Sequence, residues 1–271
     1  MRAMRALFSC GLLLTVGTAS VAAQSRPEPR LVFSVFGGVA GHGSLWSIPK
    51  QPFALLFGPP QWDTLQLNRR LTTAATVGLN ATIYRTPSFG VTGEIAYVGL
   101  RIDDSCTMLF TNTDVQNRNL QVCNDVTRRT RTVSNVSFTV GVAYRLAPRS
   151  AVKPYARLQG GAAVRSSSLI EMSGQFVDQT VGTNRDRPII LGGGGAVSVH
   201  PVLIGAAGVT FAISPGYHLR FELRDHFVAL ERVTGPADDF ARVETEGFFG
   251  HVPALVFGVD IVLEQRRGRR Y

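Results

Sequence analysis

Residues Tyr217 to Phe227 read YHLRFELRDHF. Side chains alternate across an extended strand, so Tyr217, Leu219, Phe221, Leu223 and Phe227 share one face, while His218, Arg220, Glu222, Arg224 and His226 share the other. Only Asp225 breaks the period of two. A soluble sheet turns its charged face to water, whereas a transmembrane barrel turns its apolar face to lipid and its polar face inward. This stretch alone fits both arrangements; its neighbours discriminate between them.

Seven further segments alternate in the same way: Leu31 to Val39, Leu71 to Tyr84, Phe89 to Arg101, Thr132 to Arg145, Val152 to Arg165, His200 to Ile213 and His251 to Leu263. The second and third are joined by a tight turn at Thr86, Pro87 and Ser88. Ala147 to Ser150 joins the fourth and fifth, and Pro215 and Gly216 join the sixth to the opening stretch. Long connections follow the first, third and fifth of these segments and the opening stretch itself. About eight strands of roughly 9 to 14 residues are long enough to cross a bilayer at a tilt. The rhythm predicts an all-β fold: a closed, up-and-down, antiparallel transmembrane β-barrel with short periplasmic turns and long external loops. A Greek-key sandwich does not sort its connections this way. The uncharged run Pro188 to Ile213 includes enough residues for a membrane helix, but Pro201, Gly192 to Gly195 and its β-branched residues favour a loop limb feeding the sixth strand.

Arg2 and Arg5 precede an apolar run that ends in small residues, the layout of a secretory signal peptide over 1–23, cleaved after Ala23. The expected organisation is then a periplasmic leader over 24–30, the barrel over 31–263 and a basic tail, EQRRGRRY, over 264–271. Cys10 falls inside the signal. Cys106 and Cys123 remain, an even number in an exported chain, and are expected to form one disulfide in an external loop. Neither has the close Cys or His neighbours of a zinc site, so no metal is expected.

The formal net charge is +9. The basic residues are spread along strands and loop ends, and export removes nucleic acid as the natural partner. Lipid or lipopolysaccharide phosphates are the alternative partners, beside plain solvation. Arg128, Arg129 and Arg131, at the outer end of the fourth strand, place guanidinium forks close together in a pattern suited to phosphate oxygens.

A secreted lipocalin-like barrel has the same shape but needs an apolar lumen and a polar exterior. Here the polar strand faces mix small residues with Glu94, Glu222 and Asp260 against Arg157, Arg220 and Arg224, which suits a narrow interior filled by a charge network. Tyr84, Phe89, Tyr144, Tyr155 and Tyr217 lie beside the short turns, where an interfacial aromatic girdle is expected.

The signal, the strand rhythm, and segments such as YHLRFELRDHF and LVFGVDIVL (Leu255 to Leu263) resemble the small, eight-stranded outer-membrane β-barrels of Gram-negative type, the group of the outer-membrane protein A barrel. The resemblance covers Leu31 to Leu263. It implies residence in the cell outer membrane and recognition by the outer-membrane assembly machinery. That family ends on an aromatic residue of its last strand; here Glu264 to Arg270 intervene before Tyr271. The function expected is non-enzymatic and cofactor-free, a structural or surface-interaction role through the external loops. Two alternatives stand: a narrow channel, and a deacylase-like lipid-modifying enzyme using Ser166, Ser167 or Ser168 with His226 near the rim. The sequence has no phosphate loop, metal cluster or dinucleotide fingerprint.

Overall fold

The computed structural model describes residues 31–41, 43–54, 62–110, 116–166, 168–179, 181–192, 197–214 and 216–263. The expected signal peptide, leader and basic tail lie outside the described residues, as does Ser167. The elements in order are β1 (Leu31–Ala40), β2 (Ser44–Phe53), β3 (Asp63–Thr72), β4 (Ala74–Tyr84), β5 (Phe89–Phe110), α1 (Arg118–Arg128), β6 (Thr130–Arg145), β7 (Val152–Arg165), β8 (Met172–Asp178), β9 (Thr183–Ile190), β10 (Ser198–Ser214), β11 (Tyr217–Val233) and β12 (Thr245–Leu263).

Eight strands close into a ring. In the order β1, β4, β5, β6, β7, β10, β11 and β12, each pairs antiparallel with the next, and β12 returns to β1. Short turns make this pairing local. Arg85 N–H donates to Phe89 O at 3.0 Å, and Leu146 N–H donates to Pro154 O at 2.9 Å. Pro201 lacks a donor, and it sits just beyond Val202, where the β10–β11 ladder begins.

The ring is inside-out relative to a soluble barrel. On β11, Leu223 is 63% exposed while its neighbour Arg224 is 1% exposed. Phe33, Leu79, Ile95, Phe138, Leu158, Phe211, Phe257 and Leu263 carry the same apolar exterior around the ring. Phe211, Phe221 and Phe257 meet edge to face on this outer wall, with centroids 5.8 and 5.2 Å apart. An apolar outer band around a charged, buried interior is stable only when lipid surrounds it.

The long connections depart from the expectation of loops. The first contains β2 and β3, the second α1, and the third the hairpin β8–β9. β3 pairs with Arg101–Phe110 of β5, directly beyond the stretch of β5 that pairs with β4. The strand expected over Leu71 to Tyr84 is therefore two collinear strands along one edge of β5, interrupted at Thr73. β5, β10, β11 and β12 also run past the limits expected for them, because their ends continue beyond the bilayer into the same external lobe. No helix forms over Pro188 to Ile213 among the described residues; β9 and β10 occupy its two ends.

The lobe has its own apolar core. Trp46, Leu65, Leu67, Ile102, Val122, Val126, Leu169, Met172 and Ile190 are all buried in one cluster that is continuous with the upper barrel wall. Burial on this scale, at about 25 cal/mol per Å² of apolar surface, is what gives long connections a fixed fold.

Candidate functional site

The lumen is built from the inward positions of the ring strands. Glu94 on β5 lies across the barrel from β11, which supplies Glu222 and Arg224, and β7 supplies Arg157. Arg157 Nη1 donates to Glu94 Oε2 at 3.1 Å, and its Nη2 donates to Glu222 Oε1 at 2.6 Å. Arg224 Nη1 donates to Glu94 Oε1 at 2.8 Å, and its Nε donates to Glu222 Oε1 at 2.7 Å. The four alternate in sign and span the lumen from wall to wall. Buried charges are tolerated when each is paired and hydrogen-bonded in this manner. Tyr155 adds its hydroxyl to Glu222 Oε2 at 2.5 Å.

The backbone makes room for this cluster. Phe36 lies under Arg224, 4.2 Å from guanidinium carbon to ring centre. The Phe36 ring lies over Gly78, where a β-carbon would strike it. A β-carbon at Gly208 would come within 2.8 Å of the Tyr155 hydroxyl. Glycine at these two positions is therefore a condition for the lumen packing.

Nearer the short turns, Arg220 Nη2 donates to Ser34 Oγ at 2.8 Å. Its Nε lies 3.0 Å from Asp260 Oδ1, an ion pair whose geometry is off the line of the N–H. Arg145 stacks on Tyr84 at 3.5 Å.

Tyr155 and Tyr84 thus correct the expected girdle. Both occupy inward strand positions and engage lumen arginines, whereas Phe89, Tyr144 and Tyr217 face outward beside the turns. Strand parity already put Tyr155 with Arg157 and Tyr84 with Thr82, so the signal was present and closeness to a turn outweighed it.

Above the lumen, side chains tie the long connections together. Arg69 forms a bidentate pair with Asp104 at 2.6 Å for both bonds. It also donates to Leu169 O at 2.5 Å and Glu171 O at 2.8 Å. Gln51 accepts from Ala237 N–H at 2.7 Å and donates to Ala237 O at 3.1 Å. Asn119 of α1 donates to Asp63 at 2.6 Å, and Leu191 N–H donates to Ala241 O at 2.7 Å. Each of the four long connections is bonded to at least one other.

Cys106 and Cys123 form a disulfide with Cα atoms 5.2 Å apart, joining the outer part of β5 to α1. Arg129 pairs with Asp125 at 2.7 Å, Arg131 donates to Ser173 Oγ at 2.9 Å, and Arg128 is exposed at the last turn of α1. The three guanidinium groups therefore do not converge on one point. Ser166 and Ser168 accept from the Ser134 and Ile170 amides, while His226 is buried with Nδ1 3.1 Å from Val252 O. The described serines and His226 are not hydrogen-bonded to one another.

The fold and lumen are those of a small, eight-stranded transmembrane β-barrel. No protein-family model matches the chain, and no curated protein matches it. Among solved structures it is similar to Neisserial surface protein A, at 12% identity over 85% of this chain and 97% of that one, with a TM-score of 0.35. It is also similar to the outer membrane protein OprG from Pseudomonas aeruginosa, at 11% identity over 87% and 94%, with a TM-score of 0.39. The outer membrane protease OmpT from Escherichia coli is similar at 8% identity over 86% and 96%, with a TM-score of 0.37.

Proposed function

We propose that this chain is a closed, non-enzymatic outer-membrane barrel whose external lobe serves as an interaction surface at the cell exterior. One observation supports it above the rest: the four-charge cluster crosses the lumen, and the long connections above it are bonded into a single lobe. An eight-stranded ring encloses a space that side chains just fill, and here they fill it with mutually neutralising groups. A channel needs a wetted path, and a rigid lobe offers a partner a pre-ordered surface at low entropic cost.

The same reading assigns 1–23 to a cleaved signal, 24–30 to a periplasmic leader and 264–271 to a periplasmic tail. It takes the assembly machinery and the surrounding lipid and lipopolysaccharide as partners. The arginines at 128, 129 and 131 are proposed to meet lipid phosphates, with Arg128 the most accessible of them.

Planar-bilayer recording tests the closed lumen. The intact protein is expected to insert without stable conductance. A large, steady open level from the unmodified protein would refute the plug and establish a water-filled pore.

A further inference from the structure

The charges of the lumen are not evenly distributed along it. The central cluster balances, with Arg157 and Arg224 against Glu94 and Glu222. At the short-turn end the described inward positions carry Arg145 and Arg220, with Asp260 as their carboxylate. An excess of cation in a narrow, low-dielectric interior is costly until an anion joins it.

The donors there are buried and incompletely used. Arg145 and Arg220 are each 4% exposed and His218 is 5% exposed. Among the described residues, Arg220 Nη1 and His218 Nδ1 have no hydrogen-bond partner, and Arg220 Nε makes only its off-line approach to Asp260. The guanidinium of Arg145 rests on the Tyr84 ring, and that of Arg220 lies 5.5 Å over Tyr155. Arg145 on β6 is paired in register with Tyr155 on β7, the ring over which Arg220 of β11 lies, and His218 is paired with Asp260 on β12, which Arg220 also approaches. His218 lies in the field of Arg145, Asp260 and Lys153, and Tyr84 in that of Arg145, Arg220 and Asp260. Stacking on aromatic faces fixes the planes of two guanidinium groups and leaves their N–H edges to bind.

We propose that the short-turn, periplasmic end of the lumen binds a small tetrahedral oxyanion, phosphate or sulfate, between Arg145, His218 and Arg220. Such an ion presents several acceptors to guanidinium forks and supplies a negative charge for the described arginine that Asp260 does not balance. The site goes beyond the closed-barrel reading and stands on inward geometry alone, so it is independent of what the external lobe binds.

Equilibrium dialysis of the detergent-folded protein against labelled orthophosphate, at ionic strength fixed with sodium chloride, tests it. Saturable uptake of about one phosphate per barrel is expected, displaced by sulfate and not by chloride. Arg145→Gln is expected to abolish it, and Arg242→Gln, at an exposed position of the external lobe, to leave it unchanged. Should Arg145→Gln fail to fold, Arg145→Lys keeps the charge without the fork and is expected to weaken binding about tenfold. A second arm replaces free phosphate with short-chain phosphatidate. Competition by phosphatidate identifies a lipid headgroup as an acceptable source, and its failure to compete identifies the free ion. No saturable phosphate or sulfate uptake by the wild-type protein, or uptake undiminished in the Arg145 variant that folds, overturns the proposal.

Discussion

Glu222 accepts hydrogen bonds from Tyr155, Arg157 and Arg224, and it shows how much a single lumen residue controls. Taking Arg157 away leaves Glu222 and Glu94 with only Arg224 between them, two buried carboxylates sharing one cation. Arg157→Leu is expected to destabilise the barrel by roughly 3–5 kcal/mol, and adding Glu222→Leu to cost less than the sum of the single changes by about 1–3 kcal/mol. Unfolding in urea from lipid vesicles measures both; strict additivity would show that the two side chains do not act as a pair. That these residues face inward was legible in the sequence, because parity along a strand is a local property. Their cross-lumen pairing was legible only as a charge balance, since it depends on which strands stand opposite after closure. Arg69 is the converse case. It sits among Leu65, Leu67 and Leu71 on one face of β3, so its parity marks a buried arginine, but the partner Asp104 comes from a strand whose extension was not foreseen.

At the scale of elements, the ring strands were readable and the lobe was not. β2 carries Pro49 and Pro52 and is irregular in register between Ser44 and Trp46 and between Ile48 and Gln51, so its side chains do not keep a period of two. α1 is 11 residues long, below the length at which a helix is stable alone, and Asn117 at its start makes no side-chain cap. What holds the helix is tertiary. Val122, Cys123 and Val126 are buried, and Asp125 and Gln121 accept from the Gln175 and Val177 amides of β8 at 2.7 and 3.0 Å. The disulfide anchors the same helix across a sequence separation of 17, a closure worth about 3 kcal/mol in the chain-entropy account. Replacing both cysteines by serine is expected to raise amide exchange in α1 and β8 while leaving β4, β6 and β11 protected. Equal loss of protection in ring and lobe would mean that the barrel depends on the bridge.

For the whole molecule, the decisive physical statement is that the outer wall is apolar because it faces lipid, and this has a depth-dependent consequence. Leu79 projects outward near the middle of β4, whereas Ile83 projects outward from the same strand next to the short turn at residues 85–88. An arginine at the bilayer midplane costs about 2–4 kcal/mol and one near the interface about 0–1 kcal/mol. Leu79→Arg is therefore expected to lower the urea midpoint of the vesicle-inserted protein much more than Ile83→Arg. Both side chains are more than half exposed in the protein alone, so internal packing predicts only small and similar effects at the two sites. A water-soluble barrel would go further and tolerate arginine equally well at either position, since each charge would remain hydrated. Equal midpoints for the two variants would thus remove the bilayer from the account of this fold, and a loss confined to Leu79→Arg would locate the hydrocarbon core on the β4 wall.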